Sequence, residues 1–533
     1  MRPWGVLGVL SLALMLLGVD QTVLNVALPE MQDDLGLGAA QLQWVVGAHT
    51  LALAAGVLAA GNWGDRRGRR GALIAGLVVC GAASVLGAVA EGPAGVIAAR
   101  ALMGAGAAFM MPATLSILVH VFTDAARQRL AVTIWATVAG VGVLVGPVLG
   151  GWLLEHYSWR ACFWGNVPLV LLTLLCVPLV VPPCREEEAP APDPVGLILS
   201  SAGLSAVVWS FIQAPARGWT DGVVLAVAAV GLVLLAVMLC WERRAPAPML
   251  PLGLFRHRGY AVAAASLSLL FFALVGSTFL LTFYLQGVRG MTPLGAGRTM
   301  LIGGLGVAVG GLISAVATRR AEARWVMVAG LSSCAGAFLL LAGTTTDSGA
   351  GRIHVFLVLV GVGAGLTGGP ATGLIMRAVP QGRAGVGAGV NDAVRSLGST
   401  AGVAVLGSVF NTVYSGRMAG ASGGGSGQGS GGGARDHLLS ALAEAKLMAA
   451  SAPVGSTGGG QSRAHRMELA RRLVDDAAQA FLAGLRTTAW VSACVCAVGV
   501  CLVLLALPRE GRRAKAADAV AAPVLTARPG EAG

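Results

Sequence analysis

The sequence has few charged residues for its length. Only 12% of its 533 residues are Asp, Glu, Lys or Arg, whereas 56% are hydrophobic. A soluble domain typically has about 25% charged residues, which cover its surface. The hydrophobic residues suffice for about fourteen membrane crossings of ~20 residues each. The composition therefore excludes a soluble protein and predicts an all-α polytopic membrane protein.

The sequence also lacks the motifs of ATP-driven and metal-dependent proteins. It contains no GxxxxGK(S/T) string, so we expect no ATP-binding loop. Its nine cysteines lie in or beside apolar runs and form no paired extracellular framework, and Cys494-x-Cys496 has the wrong spacing for a zinc site. We therefore expect no enzymatic activity, no metal and no cofactor.

The net charge of +12 is concentrated in short stretches between apolar runs, at 65–70, 243–244, 256–258 and 319–320. The alternate connections have almost no Lys or Arg, and the first of them, at 30–43, has only acidic charges. This is the positive-inside pattern of a multi-pass protein. It predicts that both termini lie in the cytoplasm, and it argues against nucleic acid as a partner.

We predict fourteen membrane helices. The first run contains polar residues and no obvious cleavage site, so it is a retained helix rather than a secretion signal. The predicted spans are 4–27, 44–62, 72–90, 94–120, 130–154, 161–181, 195–213, 223–241, 259–285, 298–317, 325–343, 353–375, 384–414 and 488–507.

The connections divide the chain into six parts. An acidic, Pro-rich stretch at 182–194 separates two halves, and a Gly/Ser tract followed by amphipathic stretches at 436–450 and 463–485 predicts a long extracytoplasmic loop with a helical hairpin. The predicted parts are a six-helix bundle at 1–183, the linker and two inserted helices at 184–258, helices 9–13 at 259–414, the loop at 415–487, the last membrane helix at 488–507 and a cytoplasmic tail at 508–533.

A short internal repeat relates the two halves. Pro112-Ala-Thr114 follows a Gly-rich run in helix 4, and Pro370-Ala-Thr372 follows another in helix 12. If helices 1–6 match helices 9–14, these segments are equivalent, and helices 7 and 8 are an insertion.

The string GNWGDRRGRR at 61–70 lies between predicted helices 2 and 3. Its glycines allow a tight turn, and its acidic residue can accept charge-assisted bonds. Stop-transfer arginines alone would explain the basic residues. The full pattern resembles the loop signature of the major facilitator superfamily, which is associated with the cytoplasmic gate. The motif residues are Gly61, Gly64, Asp65, Arg66, Gly68 and Arg69.

The string GVLVGPVLGG at 142–151, in predicted helix 5, has glycines at i, i+4 and i+8, which form a smooth face for close packing. The proline allows a kink. Ordinary small-residue packing is the simpler interpretation, but the complete GxxxGPxxGG string resembles the antiporter signature of the same superfamily and favours export. The motif residues are Gly142, Gly146, Pro147, Gly150 and Gly151.

Further segments are similar to the fourteen-helix drug:proton antiporter family of this superfamily. They are 19–29, 44–46, 158–160 with 166–168, 283–291 and 384–398. The resemblance implies two six-helix bundles plus two inserted helices, alternating access, and export of small lipophilic drugs or antibiotics in exchange for protons. Acidic residues suit cationic substrates. The sequence departs from the family at His49, where Tyr is usual, at Met103, where Gln is common, and at Asp392, where a neutral residue is common.

Charged residues inside a membrane are costly and are functional candidates by default. Asp20 is a candidate proton carrier or a structural hydrogen-bond acceptor. Arg100 is a candidate gating partner of Asp20, since both lie at similar depth, or a residue that snorkels to the interface. Asp392 is a further proton-coupling candidate or a local i,i+3 partner of Arg395.

The candidates for lining a substrate cavity are Asn25, His49, Asn391 and Arg395. His49 is also interpretable as a hydrogen-bonded core residue or as a proton carrier.

The alternatives to drug export are a nutrient or metabolite transporter of the same superfamily and a non-transporting membrane sensor. The helix 5 string disfavours the first, and the repeated halves and buried charges disfavour the second. The expected partners are a small lipophilic substrate, protons and membrane lipid, and we expect a functional monomer.

Overall fold

The computed structural model describes residues 3–184, 193–245, 257–345, 349–378, 384–421 and 460–507, and their regular secondary structure is helical. This confirms the predicted all-α class. The helices are α1 (Pro3–Leu35), α2 (Ala39–Arg67), α3 (Arg69–Ala88), α4 (Pro93–Val121), α5 (Ala125–His156), α6 (Arg160–Trp164), α7 (Asn166–Val180), α8 (Pro194–Arg217), α9 (Gly222–Glu242), α10 (Arg258–Phe283, followed by the π-helical turn Tyr284–Val288), α11 (Pro293–Arg320), α12 (Ala323–Ala342), α13 (Ala350–Ala378), α14 (Ala384–Ala421) and α15 (Gly460–Ala506).

Twelve helical segments in the described part of the chain are long and apolar enough to cross a membrane, with α6 and α7 forming one of them. Helices satisfy their own backbone hydrogen bonds, which the hydrocarbon core requires. The two remaining long helices, α2 and α5, have 29 and 32 residues. The chain is therefore a multi-pass membrane protein, and the count of fourteen crossings stays a prediction.

The helices form two bundles with the same internal contacts. In the first bundle α1 packs on α5, and α4 packs on α2 and α3; in the second, α10 packs on α14, and α13 packs on α11 and α12. The last helix of each bundle, α7 or α15, packs on the first and third helices of that bundle. This confirms the relation between the halves that the short repeat predicted. The bundles meet where α5 packs on α11 and where α2 packs on α14.

The inserted pair, α8 and α9, packs against both bundles. Its two helices pack on each other, and α8 also contacts α2 of the first bundle and α14 of the second. Asp193 caps the start of α8 by accepting a bond from the Gly196 amide, and it also accepts one from the Trp241 indole at 2.8 Å. This bond ties the far end of α9 to the start of α8.

Several helices extend beyond the predicted spans. Apolarity marks only the part of a helix inside the hydrocarbon, whereas the ends continue as helix in the interfacial region. The last helix, α15, is the largest departure, since its 47 residues include the amphipathic stretch 463–485. That stretch continues without a break into the last membrane crossing. The other stretch, 436–450, and the tail, 508–533, lie outside the described residues, so the hairpin stays a prediction.

Candidate functional site

A buried ion pair lies inside the first bundle. Asp20 in the middle of α1 is 1% exposed, and Arg100 in α4 is 4% exposed. The Arg100 guanidinium donates to Oδ2 of Asp20 at 2.9 Å and to the Val45 carbonyl at 3.2 Å. The side-chain amide of Asn166, at the start of α7, donates to Oδ1 of Asp20 at 3.1 Å. Each carboxylate oxygen therefore has its own donor, as a charge removed from water requires.

His49 in α2 lies beside the same carboxylate. Its Nδ1 is 3.6 Å from Oδ2 of Asp20, the oxygen that Arg100 occupies. The ring is buried, and neither ring nitrogen has a hydrogen-bond partner among the residues that the structure describes. The interpretation of His49 as a hydrogen-bonded core residue therefore has no observed hydrogen bond to support it, and it stays a prediction. Its ring lies inside the bundle next to the ion pair, rather than on an open cavity surface.

A second polar group lies in α14 of the other bundle. Asp392 and Arg395 lie one helical turn apart, with 4.0 Å between Oδ1 of Asp392 and Nη1 of Arg395. The Arg395 guanidinium stacks 4.4 Å from the centre of the Phe271 ring. Asn391 accepts a bond from the Thr372 hydroxyl at 3.2 Å. The candidates for proton coupling and for the substrate cavity therefore form two groups, one in each bundle. Asn25 belongs to neither and is half-buried on α1.

The glycines of α5 pack directly on the backbone of α1. A Cβ atom on Gly142 would lie 2.6 Å from the Met15 carbonyl oxygen, and one on Gly150 would lie 2.7 Å from the Val23 carbonyl oxygen. A Cβ on Gly146, midway between them, would overlap the Thr22 hydroxyl. Carbon atoms do not approach oxygen this closely, so the contact requires glycine at all three positions.

Pro147 explains why a polar side chain sits at this contact. Proline has no amide N–H, so the carbonyl of Val143, four residues earlier, loses its helical donor. The Thr22 hydroxyl of α1 lies 3.2 Å from that carbonyl and 3.2 Å from the Gly18 carbonyl of its own helix, and it can donate to either. The gap at Gly146 gives the hydroxyl room to reach α5. The Gly-Pro pair therefore creates both a space and an acceptor for Thr22.

The end of the same string contacts the other bundle. A Cβ on Gly151 would lie 2.6 Å from the Pro293 carbonyl oxygen at the start of α11. One turn into α11, Gly297 packs against the Pro147 carbonyl. The string at 142–151 therefore touches α1 in its own bundle and α11 in the other.

The motif at 61–70 forms a sharper turn than predicted. Gly61 and Gly64 lie in the last turns of α2 rather than in the connection, because α2 continues to Arg67. Gly68 alone connects α2 to α3, with a φ of 116°. Residues with a side chain rarely adopt this backbone conformation, so the turn requires glycine.

Arg69 anchors the turn. Its amide donates to the Cys184 carbonyl at 2.9 Å, and its buried guanidinium donates to the Ser116 carbonyl at 3.3 Å. Ser116 lies in α4 of the first bundle, and Cys184 lies in the stretch just after α7. Arg66 is half-buried in the last turn of α2, and the side chain of Asp65 lies outside the described residues.

The sequence profile of the Major Facilitator Superfamily matches residues 10–403. This chain belongs to the Major Facilitator Superfamily. As a superfamily member it is a membrane transporter and not an enzyme. It is 34% identical over 407 residues to the multidrug efflux pump LfrA of Mycolicibacterium smegmatis, covering 76% of this chain and 81% of the relative. It is 32% identical to the tetracenomycin C resistance and export protein of Streptomyces glaucescens, covering 76% of each chain. It is 35% identical to the puromycin resistance protein pur8 of Streptomyces alboniger, covering 76% of this chain and 81% of the relative.

Solved structures support the superfamily fold. The human organic anion transporter MFSD10 aligns with a TM-score of 0.59 at 16% identity, covering 94% of this chain and all of the other. A bacterial homologue of the lysosomal transporter Spinster, in an inward-facing conformation, aligns with a TM-score of 0.58 at 18% identity, covering 95% of this chain and 97% of the other. At these identities the likeness concerns the fold alone.

Two residues of the site were not among the predicted site residues. Asn166 is an amide at the start of an apolar run, a signal that predicts a polar partner inside the membrane. Thr22 has a hydroxyl group within the first helix, and Pro147 indicates that a carbonyl of α5 lacks its helical donor. Neither signal identifies the partner, since each of these two bonds joins residues more than a hundred positions apart in the sequence.

Proposed function

We propose that this superfamily member exports small lipophilic drugs or antibiotics across the inner membrane of a bacterium in exchange for protons. Relatives that align over about three quarters of the chain are a multidrug efflux pump, a resistance and export protein and an antibiotic resistance protein. The proton gradient supplies the energy, and no bound cofactor is needed. The protein acts as a monomer.

The finer assignment is to the fourteen-helix drug:proton antiporters. The inserted pair α8–α9 and the two long helices α2 and α5 support this count. With fourteen crossings, both termini lie in the cytoplasm, in agreement with the basic connections. The start of α2 and the end of α5 then lie at the extracellular end of the molecule.

The observation that carries the coupling proposal is the buried bond between Asp20 and Arg100. A proton on the Asp20 carboxylate removes its charge, so the attraction that holds Arg100 is lost. Arg100 then remains bound to the Val45 carbonyl of α2 alone, and the contact between α1 and α4 loosens. His49 is the next group within reach of the released oxygen. Proton binding and drug binding would then favour opposite access states.

The substrate cavity lies between the bundles on this proposal. Asn25 of α1 and Asn391 with Arg395 of α14 provide polar contacts from the two sides. Asp392 adds a negative charge that suits a cationic drug, and Phe271 adds an aromatic face. We assign His49 to the proton group instead, because it is buried beside Asp20.

Dye uptake into inside-out vesicles tests the function. Uptake should depend on the proton gradient and should collapse with a protonophore. Asp20→Asn should abolish gradient-driven uptake while retaining dye binding. Asp33→Asn is the matched control, since Asp33 is an exposed acid on the same helix. Uptake that requires ATP after the gradient is abolished would contradict the proposal, and so would normal uptake by Asp20→Asn. Accumulation in the opposite direction would indicate a nutrient importer.

A further inference from the structure

The inserted pair bonds to both bundles at one end of the molecule. The Trp44 indole, near the start of α2, donates to the side-chain carbonyl of Gln213 in α8 at 3.2 Å. Just beyond α8, the Trp219 indole donates to the hydroxyl of Ser408 in α14 at 2.7 Å. The end of α8 therefore bridges a helix of the first bundle and a helix of the second.

A side chain of α8 also enters the seam between the bundles. Ile212 is buried, and a Cβ on Gly47 of α2 would lie 2.6 Å from its Cδ1 atom. The same side chain lines a small cavity together with Gln43 of α2, Val275 of α10 and Thr400 of α14. α8 is therefore part of the interface between the bundles at this end, rather than a helix on its periphery.

The attachment is stronger on the α2 side. In addition to the bond between Trp44 and Gln213, the Ser201 hydroxyl of α8 donates to the Ala55 carbonyl of α2 at 2.6 Å. This second bond lies further from the same end of the two helices. Towards α14, the observed hydrogen bond from the pair is that between Trp219 and Ser408. A motion that separates the bundles would therefore break the α14 contact first and leave α8 on α2.

Direct bonds between the bundles lie at the same end. The side-chain amide of Gln286, in the π-helical turn, donates to the Val26 carbonyl of α1 at 3.1 Å. The Leu294 amide, at the start of α11, donates to the Glu155 carboxylate at the end of α5 at 3.3 Å. This end is closed in the structure, and it is the extracellular end in the topology proposed above.

We propose that α8 and α9 form part of the extracellular gate. The pair moves with α2, and it holds α14 through Trp219 and Ile212 while this end is closed. Trp219 is a positioning residue, because it acts by fixing α14 rather than by touching the substrate. The inference relies on the alternating access of the proposed function but not on its substrate or its proton coupling. It can therefore be tested in the absence of both.

The experiment measures the opening of this end directly. Spin labels are attached to cysteines introduced at Glu91 and Gly351, which are exposed at this end of the two bundles, after the nine native cysteines have been replaced. Distance distributions are recorded by double electron–electron resonance for Trp219→Phe, Ser408→Ala and the double variant. Phenylalanine keeps the edge contact with Phe211 but removes the indole donor. Trp209→Phe is the matched control, since it makes the same change on α8 without removing an observed hydrogen bond to either bundle.

Loss of one neutral hydrogen bond should raise the ratio of open to closed distances about fivefold. Trp219→Phe, Ser408→Ala and the double variant should give the same shift, because they remove one shared bond, whereas Trp209→Phe should leave the distribution unchanged. The Ser408 variant removes the bond from the other side and serves if the Trp219 variant does not fold. Unchanged distributions in both single variants would overturn the proposal. Additive shifts in the double variant would also overturn it, since they would mean that Trp219 acts through another contact. Drug efflux is not needed for this readout, so failure of the export proposal would leave the result interpretable.

Discussion

Replacing Gly146 tests whether α5 and α1 must touch for transport. A Cβ at this position would overlap the Thr22 hydroxyl and lie 3.0 Å from the Val19 carbonyl oxygen. Neither obstacle is the free end of a long side chain, so α5 must move away or Thr22 must turn. Turning Thr22 would remove the donor from the Val143 carbonyl, which Pro147 leaves without a helical partner.

The expected cost follows from these contacts. Inserting a methyl group into a close-packed interface typically costs about 1–3 kcal/mol. A lost hydrogen bond adds about 0.5–1.5 kcal/mol. The overpacking alone corresponds to a change of about 5- to 150-fold in the equilibrium between the packed and the separated helices. Gly146→Ala should therefore lower the initial efflux rate at least fivefold, and Gly146→Val should lower it further.

The assay is dye uptake into inside-out vesicles, normalised to the amount of inserted protein. Gly8→Val is the matched control, since Gly8 lies on an exposed face of α1 and a Cβ there would have no neighbour within 4 Å. Combining Thr22→Ala with Gly146→Ala removes the hydroxyl that the new methyl group meets. The double variant should recover part of the activity that Gly146→Ala loses.

Two results would refute this reasoning. Near-normal efflux by Gly146→Val at equal insertion would mean that the glycine face is incidental to transport. A Thr22→Ala and Gly146→Ala double variant that is no more active than Gly146→Ala would mean that the loss does not arise from the predicted overlap.

Three further variants test the other parts of the site. Arg100→Ala leaves the Asp20 carboxylate buried without its cation, which should cost about 3–5 kcal/mol of stability and lower the thermal unfolding midpoint. The double variant with Asp20→Asn should regain stability. An unchanged midpoint in the single variant would contradict the buried pair. Asn166→Val should weaken gradient-driven uptake with little change in the amount of inserted protein, and normal uptake would remove this amide from the proton group. Gly68 has a positive φ, so Gly68→Ala should destabilise the fold by about 1–3 kcal/mol. Gly71→Ala is the control and should not destabilise it, because a Cβ at Gly71 has no neighbour within 4 Å. Equal unfolding midpoints for the two variants would show that the turn tolerates a side chain.

The helical class, most of the spans and the relation between the halves could be predicted from the sequence. Each depends on a local property, since about 20 apolar residues in a row specify a crossing wherever they occur. The spacing of Gly142, Gly146 and Gly150 likewise fixes a smooth face on one helix, because residues four apart lie on the same side. The positions of Asp20 and Arg100 along their helices also predicted a shared depth, which their bond confirms.

Some positions were predicted only in part. Gly61 and Gly64 were assigned to a turn that Gly68 makes alone, because hydropathy marks the hydrocarbon and not the end of a helix. His49 was interpreted as a cavity residue, a hydrogen-bonded core residue or a proton carrier; its ring lies 3.6 Å from the Asp20 carboxylate and has no hydrogen bond to the described residues. The sequence gives the face of a helix on which a residue lies, but not the neighbour that this face meets.

The sequence by itself determined which segments are helices, which faces are smooth and which charges lie inside the membrane. Only the tertiary structure decided that Asn166 completes the Asp20 site, that Thr22 reaches the carbonyl freed by Pro147, and that α8 inserts Ile212 between the bundles. The physical reason is that transfer of a segment into lipid depends on its own side chains. The pairing of helices depends on close packing and on single hydrogen bonds between segments distant in the chain, for which lipid supplies no hydrophobic driving force.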